Sequence, residues 1–200
     1  MKTQTTMEKA AAIFRKAARP PIFAAAFLVI LFVADPAYIG PPWQLAFGIF
    51  ALGVLPILGY PLQRFIPPFQ DRGREGQRSL AMLFCFGGYL LGTLWGLATQ
   101  APMGLLMVYF CYLSCGIGML IFNKLFRLKA SGHACGIMGP VFAMCIHFHL
   151  WIPALVGCFL AVLVFASSVK TKEHTPGQLL GGSAIALVCI SAVSAVFTAL

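Results

Sequence analysis

Acidic side chains are scarce in this sequence. Its 200 residues include 5 Asp and Glu against 14 Lys and Arg, and only 10% of positions carry a charge. Soluble domains carry about 25% charged residues, so a water-soluble globular core is excluded. Long polar stretches are missing too, which leaves no room for a sizeable soluble domain beside the apolar runs. The 7 cysteines contain no Cys-x-x-Cys pair and fall mostly inside apolar runs, so they read as small buried hydrophobes, not as a zinc site or a disulfide framework. No Asp-rich motif exists, and Asp35 and Asp71 stand on opposite sides of an apolar run. Magnesium-dependent prenyl transfer, which wants paired acidic motifs, is therefore disfavoured. No clean small-x-small cleavage site follows Val33, and Asp35-Pro36 stands where one would fall, so the first apolar run reads as an uncleaved span.

What the sequence has is hydrophobicity: 60% apolar residues and a mean hydropathy of +0.89. Seven apolar runs cover about 20–34, 43–62, 79–98, 103–122, 132–150, 152–169 and 177–199. About 20 helical residues cross a hydrocarbon core, so two of the runs are short. The expectation is an all-α polytopic membrane helix bundle of six to seven transmembrane spans. Residues 1–19 form a basic amphipathic N-terminal segment able to lie on an anionic leaflet, and 20–200 form a single transmembrane domain. The small-xxx-small pairs Gly88/Gly92, Gly92/Gly96 and Gly177/Gly181 predict close helix packing.

If the spans alternate, every Lys and Arg falls on one side, on the N-terminus and the loops 63–78, 123–131 and 170–176. The positive-inside rule then puts that side in the cytoplasm. In a membrane protein such charge serves phosphate headgroups and orientation, so nucleic acid is not an expected partner.

Three of these loops carry candidate chemistry. In 63–78, Arg72, Arg74 and Arg78 stand among Asp71 and Glu75, and guanidinium groups grip phosphate oxygens in pairs. In 123–131, Lys124, Arg127 and Lys129 precede Ser131-Gly132-His133, with Ser131 a plausible N-cap of the next helix. In 170–178, Lys170 and Lys172 precede His174, Thr175 is a plausible N-cap, Pro176 suits the first helical position, and Thr175-x-x-Gln178 fits a capping box. Two helix N-termini, each with a histidine, thus open on the cationic side, where helix dipoles add to the side-chain charge. Two histidines about an anion can divide phosphoryl transfer, one attacking phosphorus and one protonating the leaving oxygen. The same loops read more simply as orientation signals. His147 and His149, two residues apart at a helix end, do not converge on a metal, and none is expected.

These residues resemble the type 2 phosphatidic acid phosphatase superfamily of membrane lipid phosphatases over roughly residues 64–190. That family carries a Lys/Arg-rich first motif, a Pro-Ser-Gly-His second motif and a Ser-Arg-x5-His-x3-Asp third motif. Ser131-Gly132-His133 matches the second with Ala130 in the proline position, and His174 matches the third motif's histidine. The resemblance implies His174 as nucleophile and His133 as acid. Phosphate would be held by Ser131, Gly132, Lys124, Lys129, Arg72, Arg74, Arg78, Lys170 and Lys172, with no cofactor. The first motif departs from the family's, Ser168 replaces the third motif's arginine, and Gln178 replaces its aspartate, where it would orient His174. The implied activity is hydrolysis of a lipid phosphate or prenyl (di)phosphate, with non-catalytic binding or transport of the same lipids as the alternative. The expected setting is the bacterial inner (plasma) membrane; the resemblance implies an active face on its outer side, but the charge count puts the active face in the cytoplasm, and a homo-oligomer is compatible with the sequence.

Overall fold

The computed structural model describes residues 19–125 and 129–199, apart from the side chain of Arg74. The basic segment 1–18 and Arg127 thus lie outside the described residues. Among those residues the chain is helical throughout, with no strand. α1 is Pro20–Ala34, α2 Pro42–Phe65, α3 Gly73–Ala98, α4 Met103–Leu125, α5 Gly132–Ile146, α6 Trp151–Lys170 and α7 Pro176–Ala199.

Prolines set several of the boundaries. α1 begins on Pro20-Pro21, where the missing N–H groups would have had no helical partner. It stops at Asp35, which is extended ahead of Pro36 and accepts the Ala37 N–H on Oδ1 at 2.9 Å. α2 loosens into a π turn at Phe50–Val54, next to Pro56, which has no N–H to donate. α3 ends in a Schellman closure, with Ala101 N–H on the Gly96 carbonyl at 2.9 Å and Gln100 N–H on Leu97.

Five helices, α2, α3, α4, α6 and α7, are long and apolar enough to cross a membrane. This is fewer than the six to seven spans expected, because α1 and α5 have 15 residues each, about 22 Å of helix against a hydrocarbon core of about 30 Å. α5 stops at Ile146, four residues before its apolar run does, since the chain turns over His147–Leu150 and His149 adopts a positive φ of 54°. α3 starts six residues before its apolar run, because Gly73–Arg78 are polar and still helical. Glu75 in the first turn suits the positive helix end.

α5 lies at the centre and packs on α1, α4, α6 and α7, while α2, α3 and α4 pack in succession. The connections gather at two ends. At one end Tyr38 meets Phe148 edge-on with ring centroids 5.0 Å apart, and Pro102 lies against Gly40. At the other, the Arg19 guanidinium lies 4.9 Å from the centre of the Tyr60 ring and Pro20 lies against Gly136. The chain therefore runs up and down as alternating spans would. α6 turns Ile152, Leu155, Phe159 and Val162 outward, a face that suits lipid and not water. The chain is a helical membrane protein.

Gly88, Gly92 and Gly96 do serve close packing. Gly88 sits against the Ala51 carbonyl, and Gly92 and Gly96 receive the ring of Tyr109, which is fully buried. A Cβ at Gly92 would come 2.6 Å from Tyr109 Cε1. Gly92→Ala is thus expected to destabilise the bundle by about 1–3 kcal/mol through overpacking. Gly87→Ala, which meets nothing within 4 Å, should leave the melting curve in detergent unchanged.

Candidate functional site

The ends of α5 and α7 meet at the basic end of the bundle. Ser131 is the N-cap of α5, and its Oγ accepts the Ala134 N–H at 3.3 Å. Thr175 and Gln178 form the reciprocal capping box: Gln178 N–H donates to Thr175 Oγ1 at 3.3 Å, and Thr175 N–H to Gln178 Oε1 at 3.2 Å. A further bond joins the two starts, from Ser131 N–H to the Gln178 carbonyl at 2.9 Å. Gly182 makes this approach possible, because a Cβ there would overlap the Ser131 carbonyl. Two partial positive charges are thereby held side by side, an arrangement that an anion stabilises.

The end of α6 delivers His174 to this point. Its last turn closes in a second Schellman arrangement: Lys172 takes a positive φ of 55°, its N–H bonds the Val169 carbonyl at 3.0 Å, and Glu173 N–H bonds the Ser168 carbonyl at 3.1 Å. The chain then turns back toward α5. His174 Nε2 comes 3.4 Å from Ser131 Oγ, and its ring stacks over that of His133 with centroids 6.5 Å apart and planes 29° from parallel. Ser131 is 1% exposed, while both histidines are half-buried. The site is a buried hydroxyl against the His174 imidazole, which stacks on the ring of His133, whose Nε2 is buried.

On the other side, Asn123 clamps the base of the loop that carries the lysines. Its Oδ1 accepts the Ala130 N–H at 2.7 Å and its Nδ2 donates to the Ala130 carbonyl at 3.3 Å. The sequence assigned Asn123 no role; the only hint was an amide standing at the head of the cationic loop. The Ser131–Gln178 bond and the demand for a glycine at 182 were missed for the same reason, since both depend on helix packing.

Of the residues chosen from sequence, the structure brings Ser131, Gly132, His133 and His174 together. Lys129 is exposed at their edge, Lys170 and Lys172 are exposed in the turn that leads to His174, and Lys124 is exposed at the end of α4. Arg72 and Arg78 are exposed at the start of α3, a helix that packs chiefly on α2 and α4. Gln178 spends its Oε1 on the capping box. Ser168 is buried, with its hydroxyl donated to the Val164 carbonyl at 2.8 Å. His147 and His149 lie at the opposite end of the bundle, where burial and then the neighbouring His149 lower the pKa of His147 from its ordinary value. Among the described residues, no three His, Cys, Asp or Glu side chains converge in a metal-binding arrangement. Comparison with family models, with curated proteins and with solved structures finds no match.

Ser131→Ala removes an N-cap and the His174 contact together, whereas Thr175→Ala removes only a cap. Each is expected to cost about 1 kcal/mol of stability. Only Ser131→Ala should raise the rate at which diethyl pyrocarbonate modifies His174, read by peptide mass spectrometry.

Proposed function

We propose that the chain is an integral membrane phosphatase that hydrolyses a lipid phosphate or a prenyl (di)phosphate, along the lines of the type 2 phosphatidic acid phosphatases it resembles. The observation that carries this reading is the stacked pair of imidazoles, ring centroids 6.5 Å apart, one of them against a buried hydroxyl at two joined helix N-termini. A phosphoryl group there meets a nucleophile, an acid and fixed positive charge at once. In the first step His174 Nε2 bonds to phosphorus as the bond to the leaving oxygen breaks, and His133 gives that oxygen its proton. In the second, His133 takes a proton from water as the water oxygen displaces His174, which releases phosphate and restores both rings. Ser131, the freed N–H groups of the two helix starts, and Lys129 with its neighbouring cations hold the non-bridging oxygens.

The reading places all seven helices in the membrane. α1 and α5 are short, but α5 is packed among α1, α4, α6 and α7, which carry it through the bundle. The cationic end faces the cytoplasm of a bacterial cell by the positive-inside rule.

A second reading, binding or transport of the same lipids without cleavage, is favoured by one observation. The Gln178 oxygen is held by Thr175 N–H, and the residue in the third motif's arginine position, Ser168, is turned into the core. His174 therefore lacks the carboxylate that would stabilise its imidazolium, and turnover should be slow.

Purified protein is expected to release phosphate from some member of a panel of lipid phosphates. His174→Ala should abolish release and the phosphohistidine that an alkaline detergent quench preserves. His133→Ala should lower the rate about 10²–10⁴-fold, the usual worth of a general acid. Unchanged release in His174→Ala would remove the nucleophile assignment, and binding with no turnover by any variant would favour the second reading. In a cysteine-free background, Gln70→Cys and Thr171→Cys should resist an impermeant maleimide in intact cells while Ala37→Cys reacts. The reverse pattern would turn the cationic end outward.

A further inference from the structure

Beside the histidine pair, a groove of about 460 Å³ runs down the outside of the bundle between α4 and α7. Its mouth is formed by Lys129, Ala130, Thr175 and Gln178; Ala130 and Thr175 adjoin Ser131 and His174 in the chain, and the Gln178 carbonyl accepts the Ser131 N–H. Below the mouth the walls are apolar: Gly118 and Phe122 on α4, and Gly181, Ala184, Val188 and Cys189 on α7. Gly177 and Gly181, expected from sequence to pack a neighbouring helix, instead line this groove. Gly177 meets only Thr175 Oγ1, at 4.0 Å, and Gly181 makes ordinary contact with Ala130.

The floor is tight. Cys189 donates to the Ser114 carbonyl at 3.5 Å and lies close against Gly118, where a Cβ would come 3.1 Å from its sulfur. From Gly177 to Cys189 the helix rises about 18 Å. Taking about 30 Å³, a water's share of liquid volume, for each methylene-sized unit, the groove holds on the order of 15 chain carbons. The groove itself has room for about one such chain.

A second groove, between α1, α5 and α6, is of similar size at about 500 Å³. Its lining residues, among them Phe23, Ile30, Pro140, Met144 and Val156, carry no charge and no polar side chain. Nothing there would fix a headgroup. The α4/α7 groove differs because an ammonium group stands at one end of an otherwise apolar channel, next to a candidate phosphate site.

We infer that this groove holds the hydrocarbon chain of a single-chain lipid phosphate, with Lys129 and the helix starts on its phosphate and its tail ending at Cys189. The inference rests on the lipid-phosphate reading above and deepens it: the substrate class is a phosphate on one alkyl or prenyl chain, and diacyl lipids fit poorly. The chain enters sideways from the bilayer, between α4 and α7.

Cys189 supplies a readout that does not depend on turnover. Full-length protein in neutral detergent is treated with methyl methanethiosulfonate, and modification of Cys189 is scored by peptide mass spectrometry against Cys158, which is exposed on α6 away from the groove. A C16 lysophosphatidic acid at ten times its dissociation constant is expected to slow the reaction of Cys189 about tenfold by mass action, with Cys158 unaffected. Inorganic phosphate and a diacyl phosphatidic acid should give no protection. Ala184→Phe and Val188→Phe, both at exposed positions, should fill the groove, abolish protection and lose turnover of the C16 phosphate while hydrolysis of p-nitrophenyl phosphate continues. Protection by the C16 phosphate without hydrolysis of any substrate would sustain the groove and remove catalysis. Hydrolysis of the C16 phosphate with Cys189 reacting at its free rate would overturn the groove and leave catalysis standing. Equal protection by a C16 alcohol or by the diacyl lipid would overturn the single-chain phosphate assignment.

Discussion

The bond from Ser131 N–H to the Gln178 carbonyl is the contact on which the arrangement of the site depends. A helix start leaves four N–H groups without partners inside the helix, and in a membrane protein such groups cannot be left facing hydrocarbon. α5 and α7 solve this by sharing. The Ser131 hydroxyl takes one donor of its own helix, Thr175 Oγ1 takes one of the other, and the cross-bond ties the two starts. Two parallel helices that begin side by side set like partial charges against each other. The geometry is held by Gly182 and by close packing, and it leaves an unbalanced positive field at the point where His174 and His133 meet.

Much of the fold was legible because membrane helices are written in hydrophobicity. The bounds of α1, α4, α6 and α7 follow from apolar runs and the prolines that flank them. The errors share a cause: hydropathy reports what a residue prefers to be near, not which way its backbone turns. Gly73–Arg78 is polar and helical, and His147–Leu150 is largely apolar in company but not helical. At the site, features that depend on neighbours in sequence were readable, including Ser131 as an N-cap and the Thr175–Gln178 box. The meeting of Ser131 with His174, 43 residues on, was suggested only by their common face and the resemblance. The arginines at 72 and 78 sit on a helix that packs chiefly on α2 and α4, a fact no local pattern carries.

The sulfur-bearing residues add a different kind of constraint. Met107, Cys111 and Cys115, four residues apart along α4, are all buried. Cys111 and Met107 are in contact at 3.7 Å. Small or pliable side chains there let α4 lie close to α5 and α7 without demanding one exact fit.

α5 itself is tethered at both ends. Its start is bonded to α7, and beyond its other end Phe148 is wedged edge-on between Phe27 and Tyr38, with ring centroids 5.9 and 5.0 Å away. A rod pinned top and bottom cannot act as a piston. Any opening of this protein must therefore come from neighbours swinging away from a fixed post, and the post carries the hydroxyl and one of the two imidazoles.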